Sequence, residues 1–131
     1  MRIVLDTHIL LWAVSTPERL DGATRKAILG AENDVLFSAA SIWEIAIKAE
    51  LRRADFVARP GVVAQEALEI GFVELPVRSM VASRVADLPP IHRDPFDRLL
   101  VTQALSEPAT LFTADDQLVP YSQLVQRVGV R

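Results

Sequence analysis

The chain has 131 residues, half of them apolar, with 14 Lys and Arg against 17 Asp and Glu for a net charge of −3, and it has no cysteine. That length buries one good core and is short for two, so a single domain spanning 1–131 is expected, and the lack of cysteine excludes a disulfide framework, a thiolate metal site and a cysteine nucleophile. The acidic balance does not advertise a phosphate-binding surface, although a local basic rim around an acidic pocket is compatible with it.

In chain order, "RIVL" (Arg2 to Leu5) is a short β-rich run. The apolar stretch that continues it is broken by Asp6 and His8, and no segment approaches the roughly 18 uninterrupted apolar residues of a membrane-spanning helix. The sequence therefore reads as soluble, unprocessed and suited to the cytoplasm. Pro17 to Leu29 has helical spacing, "DVLF" (Asp34 to Phe37) resembles the first strand, and Ala39 to Arg53 and Pro60 to Ile70 are again helical. "GFVEL" (Gly71 to Leu75) predicts a strand and Val77 to Ala86 a helix, followed by the proline-dense loop "DLPPIHRDP". A helix over Pro95 to Leu105 and strands at "TLFT" (Thr110 to Thr113) and "LVQRV" (Leu124 to Val128) complete the chain. Several helices open with proline, which suits the first helical position. Short apolar strands alternating with helices predict an α/β architecture: a short, mostly parallel sheet covered by helices on both faces.

In such sheets each crossover helix starts beside the carboxyl end of the preceding strand, and ligands bind along that edge. Asp6 directly follows "RIVL", Asp115 follows "TLFT", Glu44 lies one to two turns into the helix after "DVLF", and Asp97 is in the first turn of the helix leading into "TLFT". Topology alone thus brings four distant acids to one edge. Asp94, before Pro95, fits a helix cap. On a wheel of about 100° per residue, Asp97 shares its face with Val101 and Ala104, so it faces inward. Clustered carboxylates repel unless a cation neutralises them, and hard oxygen ligands point to Mg²⁺ or Mn²⁺. Such a site suits metal-assisted hydrolysis of a phosphodiester.

"VLDTH", "SAASIWEIAIK", "HRDPFDRLLVTQA" and "LFTADDQLVPY", which follow one another along nearly the whole chain, resemble the PIN-domain family, in particular its VapC-like toxin ribonucleases. The resemblance implies a three-layer α/β/α sandwich and a Mg²⁺- or Mn²⁺-dependent endoribonuclease. It also implies an RNA substrate, a VapB-like antitoxin partner and a homodimer. It puts Asp6, Glu44, Asp97 and Asp115 at the metal-binding positions, with Thr7 and Thr113 as the hydroxyl partners beside the first and last acids. Asp115 is preferred over Asp116 by the Thr-x-Asp spacing, and Asp94 belongs to the family's "DPFDR" pattern.

Plainer roles compete at several positions. Lys48 follows Glu44 by one helical turn, in the favourable order for an ion pair. His8 reads as an ordinary histidine at a helix start and His92 as a loop histidine. Trp12 and Trp43 suit the core or a subunit contact better than base stacking. Lys48, Arg52, Arg53, Arg93 and Arg98 are the candidates for a phosphate-attracting rim. Three alternative functions sit beside the nuclease: a PIN-like module that binds RNA or protein without cutting, an aspartyl-phosphate phosphatase, and a phospho-acceptor receiver. The last two want a second Asp close after the first or a Lys after a late strand, and neither is present.

Overall fold

A computed structural model describes residues 1–51 and 58–130. Its strands are β1 (Arg2–Leu5), β2 (Asp34–Ser38), β3 (Val73–Leu75), β4 (Thr110–Thr113) and β5 (Val125–Arg127). Its α-helices are α1 (Thr7–Ser15), α2 (Gly22–Leu29), α3 (Ala39–Glu50), α4 (Pro60–Ile70), α5 (Ser79–Ser83) and α6 (Pro95–Ser106). The strands form one sheet in the order β3-β2-β1-β4-β5, and every pairing is parallel.

The two-residue period of the strands sorts side chains into two apolar layers. Ile3 and Leu5 of β1, Val35 and Phe37 of β2, and Phe112 of β4 face one cluster, together with Ile9, Leu10, Ile45, Val63 and Ala67 from α1, α3 and α4. Val4, Leu36 and Leu111, one residue out of phase, face the other, with Leu100, Val101 and Ala104 of α6. Burial on both faces explains why the central strands β1, β2 and β4 are mostly apolar, whereas the edge strands β3 and β5 expose two of their three residues. Each fully buried aliphatic side chain contributes about 1.5–3 kcal/mol to holding the layers together. The result is the expected α/β/α sandwich.

Element bounds depart from expectation where capping overrides spacing. Pro17 to Leu29 is not one helix: a 3₁₀ turn over Pro17–Arg19 ends at Leu20, whose backbone is extended, and α2 starts afresh with Asp21 accepting from Thr24 N–H at 2.8 Å. Leu20 is fully buried and bridges Val130, so core burial holds the break open. The segment from Val77 is helical only over Ser79–Ser83 and then tightens to 3₁₀. Gly71 is not in β3; it ends α4 at φ 108°, a left-handed conformation that favours glycine. The helix Thr7–Ser15 escapes the spacing argument because apolar residues occupy most of its positions, leaving no stripe to detect. Trp12 packs against the first cluster, whereas Trp43 is 63% exposed, edge-on to Phe96, and does not belong to the core. Among the described residues, no helix is long and apolar enough to cross a membrane.

Candidate metal centre at the carboxyl edge

Leu5 of β1 is in register with Phe37 of β2 and Phe112 of β4. The next residues, Asp6, Ser38 and Thr113, therefore emerge side by side, and all three are buried. Asp6 ends its strand and caps α1: its Oδ1 accepts from Ile9 N–H at 2.9 Å, while its Oδ2 accepts a short hydrogen bond from the Thr113 hydroxyl. Burial pushes the Asp6 carboxyl above the ordinary carboxylate range, and those two hydrogen bonds pull against that shift.

Glu44 reaches the same place from α3 and is also buried. The Thr7 hydroxyl donates to its Oε1 at 2.6 Å and lies 3.0 Å from Ser41 Oγ, while Lys48 Nζ is 3.2 Å from its Oε2. The helical ion pair foreseen for Glu44 and Lys48 thus exists, but at the border of the acidic notch and not on an isolated surface.

Asp97 enters from the first turn of α6, with its side chain 22% exposed. Its helical neighbours Val101 and Ala104 are buried, which is the inward face that the wheel predicts. Burial first, and then the charges of Asp94, Asp6 and Glu44, push the Asp97 carboxyl up to about 7, with His92 opposing the shift. That mutual influence places Asp6, Glu44 and Asp97 in one electrostatic neighbourhood. Asp94 caps α6, its Oδ1 accepting from Phe96 N–H at 2.8 Å and Asp97 N–H at 3.1 Å.

Asp115 follows β4 and closes the far side. Its backbone N–H donates to Thr113 Oγ1 at 3.0 Å, its Oδ1 accepts from Gln117 N–H at 2.9 Å, and its Oδ2 lies 3.2 Å from His92 Nε2. His92 Nε2 is also 3.7 Å from Asp97 Oδ2, and one ligand atom from each of His92, Asp97 and Asp115 falls within 4.8 Å of the others. Asp6 and Asp115 line a common cleft of about 460 Å³ with His8, Trp12 and Ala114. Asp116 turns elsewhere: it is 78% exposed and pairs with Arg127 Nε of β5 at 2.6 Å.

Arg98 is committed to the protein itself. Its guanidinium donates to Pro89 O and Val85 O at 3.1 Å each and to Tyr121 Oη at 3.2 Å. Those bonds tie the proline-dense loop to α6. Arg93 is exposed, and the candidate rim residues Arg52 and Arg53 lie outside the described residues. The residue that sequence reasoning undervalued is His92; its spacing to Asp97 was a usable signal, but its proximity to Asp115, 23 positions away, was not.

The PIN domain profile matches residues 3–122. No curated protein sequence matches the chain significantly. Among solved structures, VapBC2 from Rickettsia felis, bound to a DNA fragment from its promoter, is similar at a TM-score of 0.69 and 14% identity over 100% of both chains. FitAcB from Neisseria gonorrhoeae is similar at a TM-score of 0.56 and 22% identity, over 88% of this chain and 89% of its own. FitAB bound to an IR36 DNA fragment gives a TM-score of 0.56 and 22% identity over 86% and 85% of the two chains. At these identities the solved structures speak for the fold. With the profile covering the four edge acids and nearly all of the chain, the protein belongs to the PIN domain family.

Proposed function

We propose that this protein is a divalent-metal-dependent endoribonuclease and the toxin of a two-protein toxin–antitoxin pair. The observation that supports the reading is the meeting of Asp97 with Asp6 and Glu44 at the carboxyl edge, its carboxyl pushed up to about 7 by burial and by the charges of Asp94, Asp6 and Glu44, with Asp115 close by across His92. A fold does not gather such charge for stability.

The donor set fits a hard cation. Its donors are carboxylate oxygens, the chain has no cysteine, and the net effect of burial and of the neighbouring carboxylates still pushes Asp97 up to about 7. Asp6, Glu44, Asp97 and Asp115 would hold Mg²⁺ or Mn²⁺, which when bound supplies the positive charge that grips a scissile phosphate and acidifies a water. The chain's own contribution is orientation. Thr113 fixes Asp6, Thr7 fixes Glu44, and Asp94 fixes the first turn of α6 that presents Asp97. Exposed Arg93, and Lys48 beside Glu44, stand where they offset the net charge of −3 toward an RNA backbone.

A partner is supported by the neighbouring structures: VapBC2 and FitAB, each bound to a DNA fragment, and FitAcB. A groove of about 610 Å³ between α1 and α4, lined by Leu11, Trp12, Val62 and Val63 among others, offers an apolar seat to a helix of a cognate antitoxin. It shares His8 and Trp12 with the acidic cleft, so a partner seated there reaches the notch. Exposed Trp43 against Phe96 suits a contact between two copies in a homodimer. The cytoplasm is the compartment in which such a pair meets RNA.

The test incubates purified, partner-free protein with labelled structured RNAs in Mg²⁺, Mn²⁺ or EDTA, alongside Asp6→Asn and Asp97→Asn. Cleavage that needs the metal and is lost in both variants is expected. RNA binding without cleavage in any metal would reduce the protein to a binding module.

A further inference from the structure

His92, Asp97 and Asp115 look at first like a three-ligand metal set, since one nitrogen and two carboxylate oxygens converge within 4.8 Å. The hydrogen bond on the other side of the ring decides otherwise. Asp94 N–H donates to His92 Nδ1 at 3.0 Å, so Nδ1 carries a lone pair and the proton of the neutral ring sits on Nε2. A metal ligand at Nε2 needs the opposite tautomer, whose Nδ1–H would meet the Asp94 N–H head-on. Nε2–H instead donates to Asp115 Oδ2 at 3.2 Å and faces Asp97 Oδ2 at 3.7 Å, beyond hydrogen-bond length.

The backbone around the ring is fixed with equal care. His92 N–H donates to Tyr121 Oη at 2.8 Å, and Tyr121 Oη accepts from Arg98, whose remaining bonds hold Val85 and Pro89. Asp94 joins the two halves, giving its N–H to the imidazole and its carboxylate to the helix turn that carries Asp97. The loop, the ring and the start of α6 are therefore tied together by hydrogen bonds.

We propose that His92 is a positioning residue: a tautomer-locked N–H donor that sets Asp115 opposite Asp97, and not a ligand of the ion they would hold. Its consequence for catalysis rests on the nuclease reading, whereas the tautomer does not. Outer partners of metal-binding side chains typically contribute about 10–100-fold to affinity or activity.

The chain's two histidines make the first test direct. Long-range ¹H–¹⁵N correlation of the labelled protein, with His92→Gln assigning the signals, should show His92 protonated on Nε2 and bare on Nδ1, with and without Mg²⁺. A ring protonated on Nδ1, or an Nε2 resonance that moves to a metal-bound position, overturns the proposal. Calorimetric titration with Mg²⁺ and Zn²⁺ then compares wild type, His92→Ala and His92→Gln, each checked for folding by circular dichroism. Both affinities should weaken together by about tenfold in His92→Ala, with partial recovery in His92→Gln, whose amide N–H reaches the same oxygen. A selective loss of Zn²⁺ binding marks a ligand and overturns it, because imidazole favours Zn²⁺ over Mg²⁺. Wild type that shows this tautomer and binds ions yet cuts no RNA rejects the nuclease reading while leaving the positioning role intact.

Discussion

The two ends of the sheet handle charge in opposite ways. At the amino end, Arg2 is in register with Asp34, both are exposed, and Arg2 pairs with Glu107 at 2.5 Å. Opposite charges meet in water there, an arrangement worth little and costing little. At the carboxyl end, Asp6 and Glu44 are buried and Asp97 is half-buried, and the like charges of Asp94, Asp6 and Glu44 all bear on Asp97, while His8 bears favourably on Asp6 and Lys48 pairs with Glu44. Hydroxyls, backbone N–H groups and the His92 imidazole hold these acids. The same residue types serve solubility at one end and, at the other, store repulsion that a bound cation would release.

The largest expected effect is on activity. Asp97→Asn or Asp6→Asn should lower metal-dependent RNA cleavage by at least about 100-fold, against no measurable change for Arg2→Ala. In the ion-free protein Asp97→Asn should also leave thermal stability unchanged or raise it by a few degrees, because it removes repulsion. A clear drop in melting temperature would make Asp97 a structural acid and erase the contrast between the two ends.

Added Mg²⁺ is the next lever. At about 100 times its dissociation constant, an ion that binds only the folded chain stabilises it by about 2.7 kcal/mol. Wild type should show that rise in a melting experiment, Arg2→Ala should match it, and Asp97→Asn should lose most of it.

The pH dependence sharpens the same point. Asp97 titrates at about 7 when folded and near an ordinary aspartate's value, about 3.9, when unfolded. Between those values the folded state holds more protons than the unfolded state, so this group's contribution to stability falls as pH rises from about 4 to about 7 and is level above that. Denaturant melts of the ion-free protein across this range should show the decline, and Asp97→Asn or saturating Mg²⁺ should flatten it. A stability that climbs through the same window in wild type and variant alike would show that Asp97 is not the acid that burial perturbs.

The smallest effect is expected at the exposed end. Arg2→Ala should change unfolding free energy by no more than about 1 kcal/mol, and high salt should shrink even that difference. A larger loss would show that the amino edge also carries structural electrostatics.

Much of this was written in local pattern. Alternating apolar runs fixed the parallel sheet and its two buried faces, and the position of Asp6 after β1 and of Asp115 after β4 followed from strand ends alone. The inward face of Asp97 followed from its spacing to Val101 and Ala104. Local pattern misjudged Pro17 to Leu29 because burial of Leu20 against a distant segment outweighs helical spacing. It also left Arg98 as a phosphate contact, a role with which three bonds to the protein's own loop and to Tyr121 compete.

What the sequence determined by itself, then, is periodic: which residues are strand, which helix face is apolar, and which acids stand at the edge where strands give way to helices. What only the tertiary structure decided is pairing. Thr113 meets Asp6 across 107 positions, Thr7 meets Glu44 across 37, and His92 meets Asp115 across 23. Hydrogen bonds are short-ranged and directional, so such partners are chosen by where the packed layers bring them, and no spacing along the chain records that choice.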